Sequence, residues 1–509
     1  MEERTVTPAL AEARMHEAFR AIRNRLRRHR PADVVDTCIS ILRSPQTPQR
    51  MAAHPPWFLI RLIEWTFEHG DFSRAEYHAF GNKDLNYLVR LMMKMNEAGD
   101  AALTQASAPQ LIKNMAHEQF PWRDPQPAPK AMARNMVLFL ELNTGPRIAE
   151  RFQCLAGIPL EVFLDLSWLL WCHFFPPNQR SPDYVGAWSF GHPVDQVRGS
   201  VKGFLDLLSL PEQQAGPFLH ALPKEPDTWY YRLHKEPRLK RKPLLRRGSR
   251  YYQYSRTLLA RALEHFAYDI LREDDPCELM APFRTAFEQY VGIGVDGIGD
   301  PHICEPDLRA HLPTGSKVVD YLVVSGDVNV LIDAKCVEMH RLGRISTLAD
   351  KIEGKLKSSV ISGIEQGNAV AGGLSGRPQV GDLQLAKGPW HLIVVTYKNL
   401  YIGQGPYLRH IIGSDGVANL ARKLGDPPPI PYENVHFLSV DEFDSLVCTA
   451  QQGVSLAAIL KAAAQAYQQS DVWVFEQVLN RYKVDRPLAR HVEKALLRHG
   501  RRIGQLLAR

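Results

Sequence analysis

Residues 318–335 read VVDYLVVSGDVNVLIDAK, and the placing of Asp320 and Asp333 in this stretch decides the fold. Apolar runs on either side of Ser325-Gly326-Asp327 predict a β-hairpin. A two-residue loop at Gly326-Asp327, glycine first, suits a type II′ turn. That loop sets the register and puts Asp320 directly opposite Asp333. Opposed residues share a face, with Cβ atoms roughly 4.5–5.5 Å apart. Alternation brings Lys335 to the same face. The other face carries Val319, Tyr321, Val323, Val330, Ile332 and Ala334, all suited to a core.

Two facing carboxylates repel, and a divalent cation resolves the repulsion. Mg²⁺ takes one or two carboxylates together with waters and phosphate oxygens. A lysine two residues on can hold an attacking water or a phosphate. A solvent-facing hairpin tip with incidental charges is the plainer alternative. Asp320 with Asp333-Ala334-Lys335 resembles the PD-(D/E)XK nuclease superfamily, whose signature is an acid on one strand and D/E-x-K on the next. Val319 stands where the full pattern has proline, and aspartate is an allowed third-motif acid. The resemblance covers about residues 256–450. It implies a restriction-endonuclease-like α/β core, a mixed sheet flanked by helices, here preceded by a large mainly α-helical domain.

Flanking segments extend the pattern. Pro282–Val291 has apolar residues at helical spacing. Gly292 and Gly294 are expected to end that helix. The resemblance places Glu288 near the metals; otherwise it is a surface charge. Residues 302–308 make a weak first strand, interrupted by Pro306. A helix is expected over about 347–370, with Thr347 and Asp350 as a capping box. Gln366 matches the glutamine that many family members carry there. Lys351, Lys355 and Lys357 are potential phosphate contacts or solvated charges. Strands are expected at 391–397 and 435–440. This order gives a mixed α/β sandwich.

The resemblance implies that Asp320, Asp333 and Glu288 hold Mg²⁺ or Mn²⁺. Lys335 would orient the attacking water, and Gln366 would position Lys335 or a phosphate. The activity implied is metal-dependent phosphodiester hydrolysis, most directly by a DNA endonuclease. A role in restriction or antiphage defence is analogy.

The 509 residues bound the chain to two to four domains. With 45% hydrophobic and 23% charged residues the composition is globular. The longest apolar stretch, 162–175, contains Asp165, and no run reaches the ~18 uncharged residues of a membrane span. The N-terminus has no apolar signal core. The expectation is a cytoplasmic protein without a membrane. Seven cysteines, an odd number with no C-x-x-C, argue against a disulfide framework or a structural zinc site. Cys336 alternates to the core face.

The net charge of +7 is unevenly placed. Residues 224–252 hold ten Lys/Arg against three Asp/Glu, and 481–509 hold nine against two. In the first segment Tyr230, Tyr231, Tyr251, Tyr252 and Tyr254 interleave with the cations. Such a mixture can neutralise phosphates and stack bases. Arg238, Lys240, Arg241, Lys242, Arg246 and Arg247 are therefore the expected nucleic-acid contacts; solvated basic faces are the bland reading.

The organisation read from sequence is a helical scaffold or recognition domain at 1–220, a basic aromatic connector at 221–255, the nuclease core at 256–450 and basic helices at 451–509. No phosphate-binding G-x-x-x-x-G-K-[ST] and no internal repeat occur. A catalytically inactive nucleic-acid-binding protein on the same fold, an RNA-directed nuclease, and a helical interaction protein are the competing readings. A homodimer or a partner protein is compatible with all of them.

Overall fold

A computed structural model describes residues 8–74, 76–102, 106–122, 129–142, 146–176, 182–190, 195–222, 229–274, 276–340, 343–344, 346–469, 472–482 and 488–508. The N-terminal residues 1–7 and the side chains of Tyr230, Tyr231 and Cys277 lie outside this set.

The first 220 residues are mainly helical, as expected. Pro31–Arg43 and Pro56–His69 both open on proline, whose missing N–H costs nothing at that position. This half also carries the strands β1 (Tyr184–Val185) and β2 (Ser209–Pro211), and the connector after it carries β3 (Leu244–Arg247) and β4 (Arg250–Gln253). They form one sheet in the order β1-β4-β3-β2. The basic connector is thus a hairpin inside this sheet, turning at Gly248 with φ +60°.

The second sheet holds β5 (His302–Cys304), β6 (Tyr321–Ser325), β7 (Val328–Lys335), β10 (Trp390–Thr396) and β11 (Val435–Ser439). A small hairpin, β8 (Gln379–Val380) with β9 (Leu383–Gln384), folds the glycine-rich stretch before β10. The order is β11-β10-β7-β6-β5. β5, β6 and β7 run antiparallel; β7, β10 and β11 run parallel. Tyr321 pairs with Ile332 and Ser325 with Val328, the register expected from the turn.

Both faces of this sheet are covered. Val323, Val330, Ile332, Ala334, Ile393 and Val395 join one core, and Leu322, Leu331, Leu392 and Val394 join another. Each fully buried Val, Leu or Ile contributes about 1.5–3 kcal/mol. The acidic strand end therefore belongs to a largely buried face and is not a solvent-facing hairpin tip. Asp333 is 1% exposed.

Three local expectations are corrected. The helix expected to stop at Gly292 runs from Pro276 to Ile298. A Cβ on Gly292 would overlap the Tyr321 ring, and one on Gly294 the Phe443 ring, so these glycines permit close packing instead of ending the helix. The 302–308 strand stops at Cys304, and Glu305–Ala310 is helical with Pro306 in its first turn. The helix after β7 starts at Ala349 with no side-chain cap, and it is interrupted by a π-helical turn at Lys357–Ile361 before Ser362–Leu374.

The cores also divide the chain differently from the sequence reading. Met132–Leu208 share a core with Leu244, Leu259–Val295 and the sheet. Met15–Ala98 share another with Leu210–Leu258. The border expected at 220 therefore crosses both. Among the described residues no single helix is long and apolar enough to cross a membrane.

Candidate functional site

Asp320 stands one residue before β6, opposite Asp333 near the carboxyl end of β7, because the Gly326 turn leaves no other register. Asp320 Oδ2 accepts a hydrogen bond from the Ala334 N–H at 2.6 Å. Lys335, two residues past Asp333, folds back over it: Nζ donates to Asp333 Oδ1 at 2.9 Å and to Gln366 Oε1 at 2.8 Å. Nζ also lies 2.8 Å from Asp333 Oδ2, yet at an angle that makes no hydrogen bond, so this buried oxygen is left without one.

Gln366 reaches Lys335 because its helix sits unusually low on the sheet. Gly363 and Gly367, four apart, face it. A Cβ on Gly363 would meet Val394 Cγ2 at 3.3 Å, and one on Gly367 would meet Leu392 Cδ1 at 2.9 Å. These glycines cost the helix propensity, and that cost in a helix interior is the signal the sequence reading passes over.

Glu288 belongs to the same electrostatic neighbourhood without touching the pair. Its helix is tied to the hairpin by Tyr321, whose hydroxyl donates to the Glu288 carbonyl oxygen at 3.2 Å. Burial raises the Glu288 carboxyl above its ordinary value, against the pull of Arg284. Burial likewise raises Asp333, with Lys335 opposing, and burial plus the Asp333 charge pushes Asp320 up to about 7. Glu305 adds a fourth acid that sequence reading misses. It follows β5 directly, one step beyond the Cys304–Tyr321 pair, and its charge raises both Asp333 and Glu288. Reading 302–308 as a strand hides it.

The site thus concentrates acids around one lysine. Two opposed carboxylates with a hydrogen-bond-free buried oxygen are a donor set for a hard divalent cation. Among the described residues, however, no three His, Cys, Asp or Glu side chains stand close enough together to hold a metal ion.

The six expected nucleic-acid contacts have other partners. Arg238 pairs with Glu68, Lys240 with Glu236, Arg241 with Glu273, Arg246 with Asp206, and Arg247 with Asp36 and Glu212. Lys242 donates to the Leu207 carbonyl at 2.7 Å. Arg246 and Arg247 fasten β3 to its surroundings, and Arg238, Lys240, Arg241 and Lys242 do the same for the turn of helix before it. By contrast Lys351, Lys355 and Lys357 are exposed and have no ion pair among the described residues. They lie on the helical segment that leads into Gly363 and Gln366.

No protein-family model matches this chain, and no curated protein or solved structure is significantly similar to it.

Proposed function

We propose that the protein is a metal-dependent nuclease with a restriction-endonuclease-like core, acting on DNA. The observation that carries this reading is the juxtaposition of Asp320, Asp333 and Lys335 on one face, with Lys335 held by Gln366. An acid pair at the edge of a buried face is costly unless something uses it.

Asp320 and Asp333 would hold Mg²⁺ or Mn²⁺, with Glu288 and Glu305 adding negative charge around them. A bound divalent ion supplies Lewis acidity and an acidified water. Lys335 would turn its ammonium from Asp333 to the attacking water or the scissile phosphate. Gln366 fixes where that ammonium sits, since its carbonyl oxygen accepts one of the three N–H groups. Lys351, Lys355 and Lys357 would take neighbouring phosphates.

The test is cleavage of plasmid, linear DNA and RNA with Mg²⁺, Mn²⁺ or EDTA. Divalent-dependent cutting that is lost in both Asp320→Asn and Asp333→Asn supports the reading. Cutting that survives in either folded variant refutes it. A second reading, a nucleic-acid-binding protein without cleavage, is favoured by one observation: Lys335 already neutralises Asp333, and among the described residues no group of three acids, histidines or cysteines is placed to hold a metal ion. It expects salt-dependent binding and no cutting under any metal.

A further inference from the structure

A cavity of about 480 Å³ lies where the helical half meets the carboxyl ends of β10 and β11, apart from the acid pair. Its wall includes Arg61, Glu118, Trp122, Lys235, Arg261 and Tyr401. The volume is that of a small-molecule site. The carboxyl ends of parallel strands are also where α/β sheets receive ligands.

The wall carries two guanidinium groups that each keep a buried donor without a hydrogen bond, and a lysine with no ion pair among the described residues. Arg61 is 2% exposed; its Nη1 pairs with Glu64 and its Nη2 with the Lys235 carbonyl, while Nε is buried with no hydrogen-bond partner. Arg261 repeats the pattern: Nη1 donates to Glu264 Oε2 at 2.8 Å, and the buried Nε has no partner. Lys235 is half-buried and has no ion pair among the described residues. Burial, and after it the Arg61 charge, pushes its ammonium down to about 8. Glu64 answers Arg61 and Glu264 answers Arg261, so Lys235 is the cation left without a carboxylate among the described residues. Glu236 holds Lys240 and Arg344, Glu264 holds Arg261, and Glu442 accepts from Ser439.

The cavity also offers an acceptor and flat surfaces. Glu118 Oε2 meets His234 Nδ1 at 2.9 Å, and the buried Oε1 has no hydrogen bond, so it can take an amino or hydroxyl hydrogen. Trp122 and Tyr401 supply rings. Tyr401 holds φ +48°, a conformation a bulky residue adopts only where its surroundings impose it. Its ring stands edge-on to His117 at 4.9 Å and to Phe120 at 5.6 Å.

Phosphate for the guanidinium and ammonium donors, amino or hydroxyl hydrogens for Glu118 and a ring for the aromatic wall describe one ligand class. We propose that this cavity binds a nucleoside phosphate, held by Arg61, Lys235 and Arg261. The proposal is independent of the nuclease reading, since none of these residues belongs to the acid cluster.

Calorimetry on the full chain tests it, with the mono- and triphosphates of the four ribonucleosides and inorganic triphosphate as probes. The expected result is saturable, one-to-one binding of a nucleotide. Arg261→Gln and Lys235→Gln should each weaken it at least tenfold. Lys235 has no ion pair to lose, so Lys235→Gln decides the matter if Arg261→Gln does not fold. No binding by any probe at millimolar concentration overturns the proposal, as does binding that Lys235→Gln leaves unchanged. Inorganic triphosphate binding as tightly as every nucleotide overturns the assignment of the ring.

Discussion

A Cβ on Gly363 would stand 2.8 Å from Asp333 Oδ2. The helix carrying Gln366 is thus seated directly on the acid that Lys335 neutralises. Gly363→Ala should therefore destabilise the protein by about 1–3 kcal/mol, the usual cost of overpacking, and loosen Gln366 from Lys335. Gly354 has open space around it, so Gly354→Ala should stabilise by roughly 0.4–1 kcal/mol. Urea unfolding of the two variants makes the comparison; equal stability would mean the close seat is absent.

The acid pair and its lysine should respond in opposite ways to removal. Asp320→Asn takes away a repulsion and should leave metal-free stability unchanged or higher. Lys335→Met strands the buried Asp333 carboxylate and should cost about 1–3 kcal/mol. Both should abolish divalent-dependent cleavage. Melting temperatures in EDTA separate the two; a Lys335→Met variant as stable as Asp320→Asn would contradict the ion pair.

Two sets of cations make a further contrast. Alanine at Lys351, Lys355 and Lys357 should weaken nucleic-acid binding and flatten its salt dependence, by about 0.9 in log–log slope for each duplex phosphate that is no longer neutralised. Arg247→Ala should instead cost about 1 kcal/mol of stability, through Asp36 and Glu212, and leave the slope alone. Binding titrations across a salt series, paired with unfolding curves, check both halves.

Lys113 gives a pH signature. Its Nζ is buried and donates to the Arg344 carbonyl at 2.9 Å, and burial pushes it down to about 7. The unfolded chain keeps this proton up to about 10.5. Between those values the unfolded state binds more protons, so stability rises with pH. The wild type should therefore gain on Lys113→Met as pH goes from 7 to 9. A difference that stays flat or falls would show the ammonium is not desolvated.

How much of this is legible in the sequence depends on distance along the chain. The Asp320–Asp333 register is readable because one turn and a period-two alternation fix it locally. Gln366 is found by order, but what brings it to Lys335, Gly363 and Gly367 against the sheet, is a tertiary contact. Gly292 and Gly294 read as helix ends, since glycine is a poor helix former and nothing local announces the Tyr321 and Phe443 rings. The basic hairpin looks free for the same reason: its partners Asp36, Glu68, Asp206, Glu212 and Glu273 are scattered along the chain. Charge counting sees the cations and not whom they face.

The shared core of Met132–Leu208 with the second sheet sets a timetable for synthesis. Phe139 packs against Phe283, Phe163 against Phe266, and Asp165 waits for Arg502 near the far end of the chain. At ribosomal rates of about 5–20 residues per second, the segment around 132–208 leaves the ribosome about 15–60 s before its covering elements are complete. During that interval its phenylalanines and leucines are open to water and to one another on neighbouring chains. A chain shortened before 490 would lack Val492 and Ala495 from that core and should therefore be prone to aggregate.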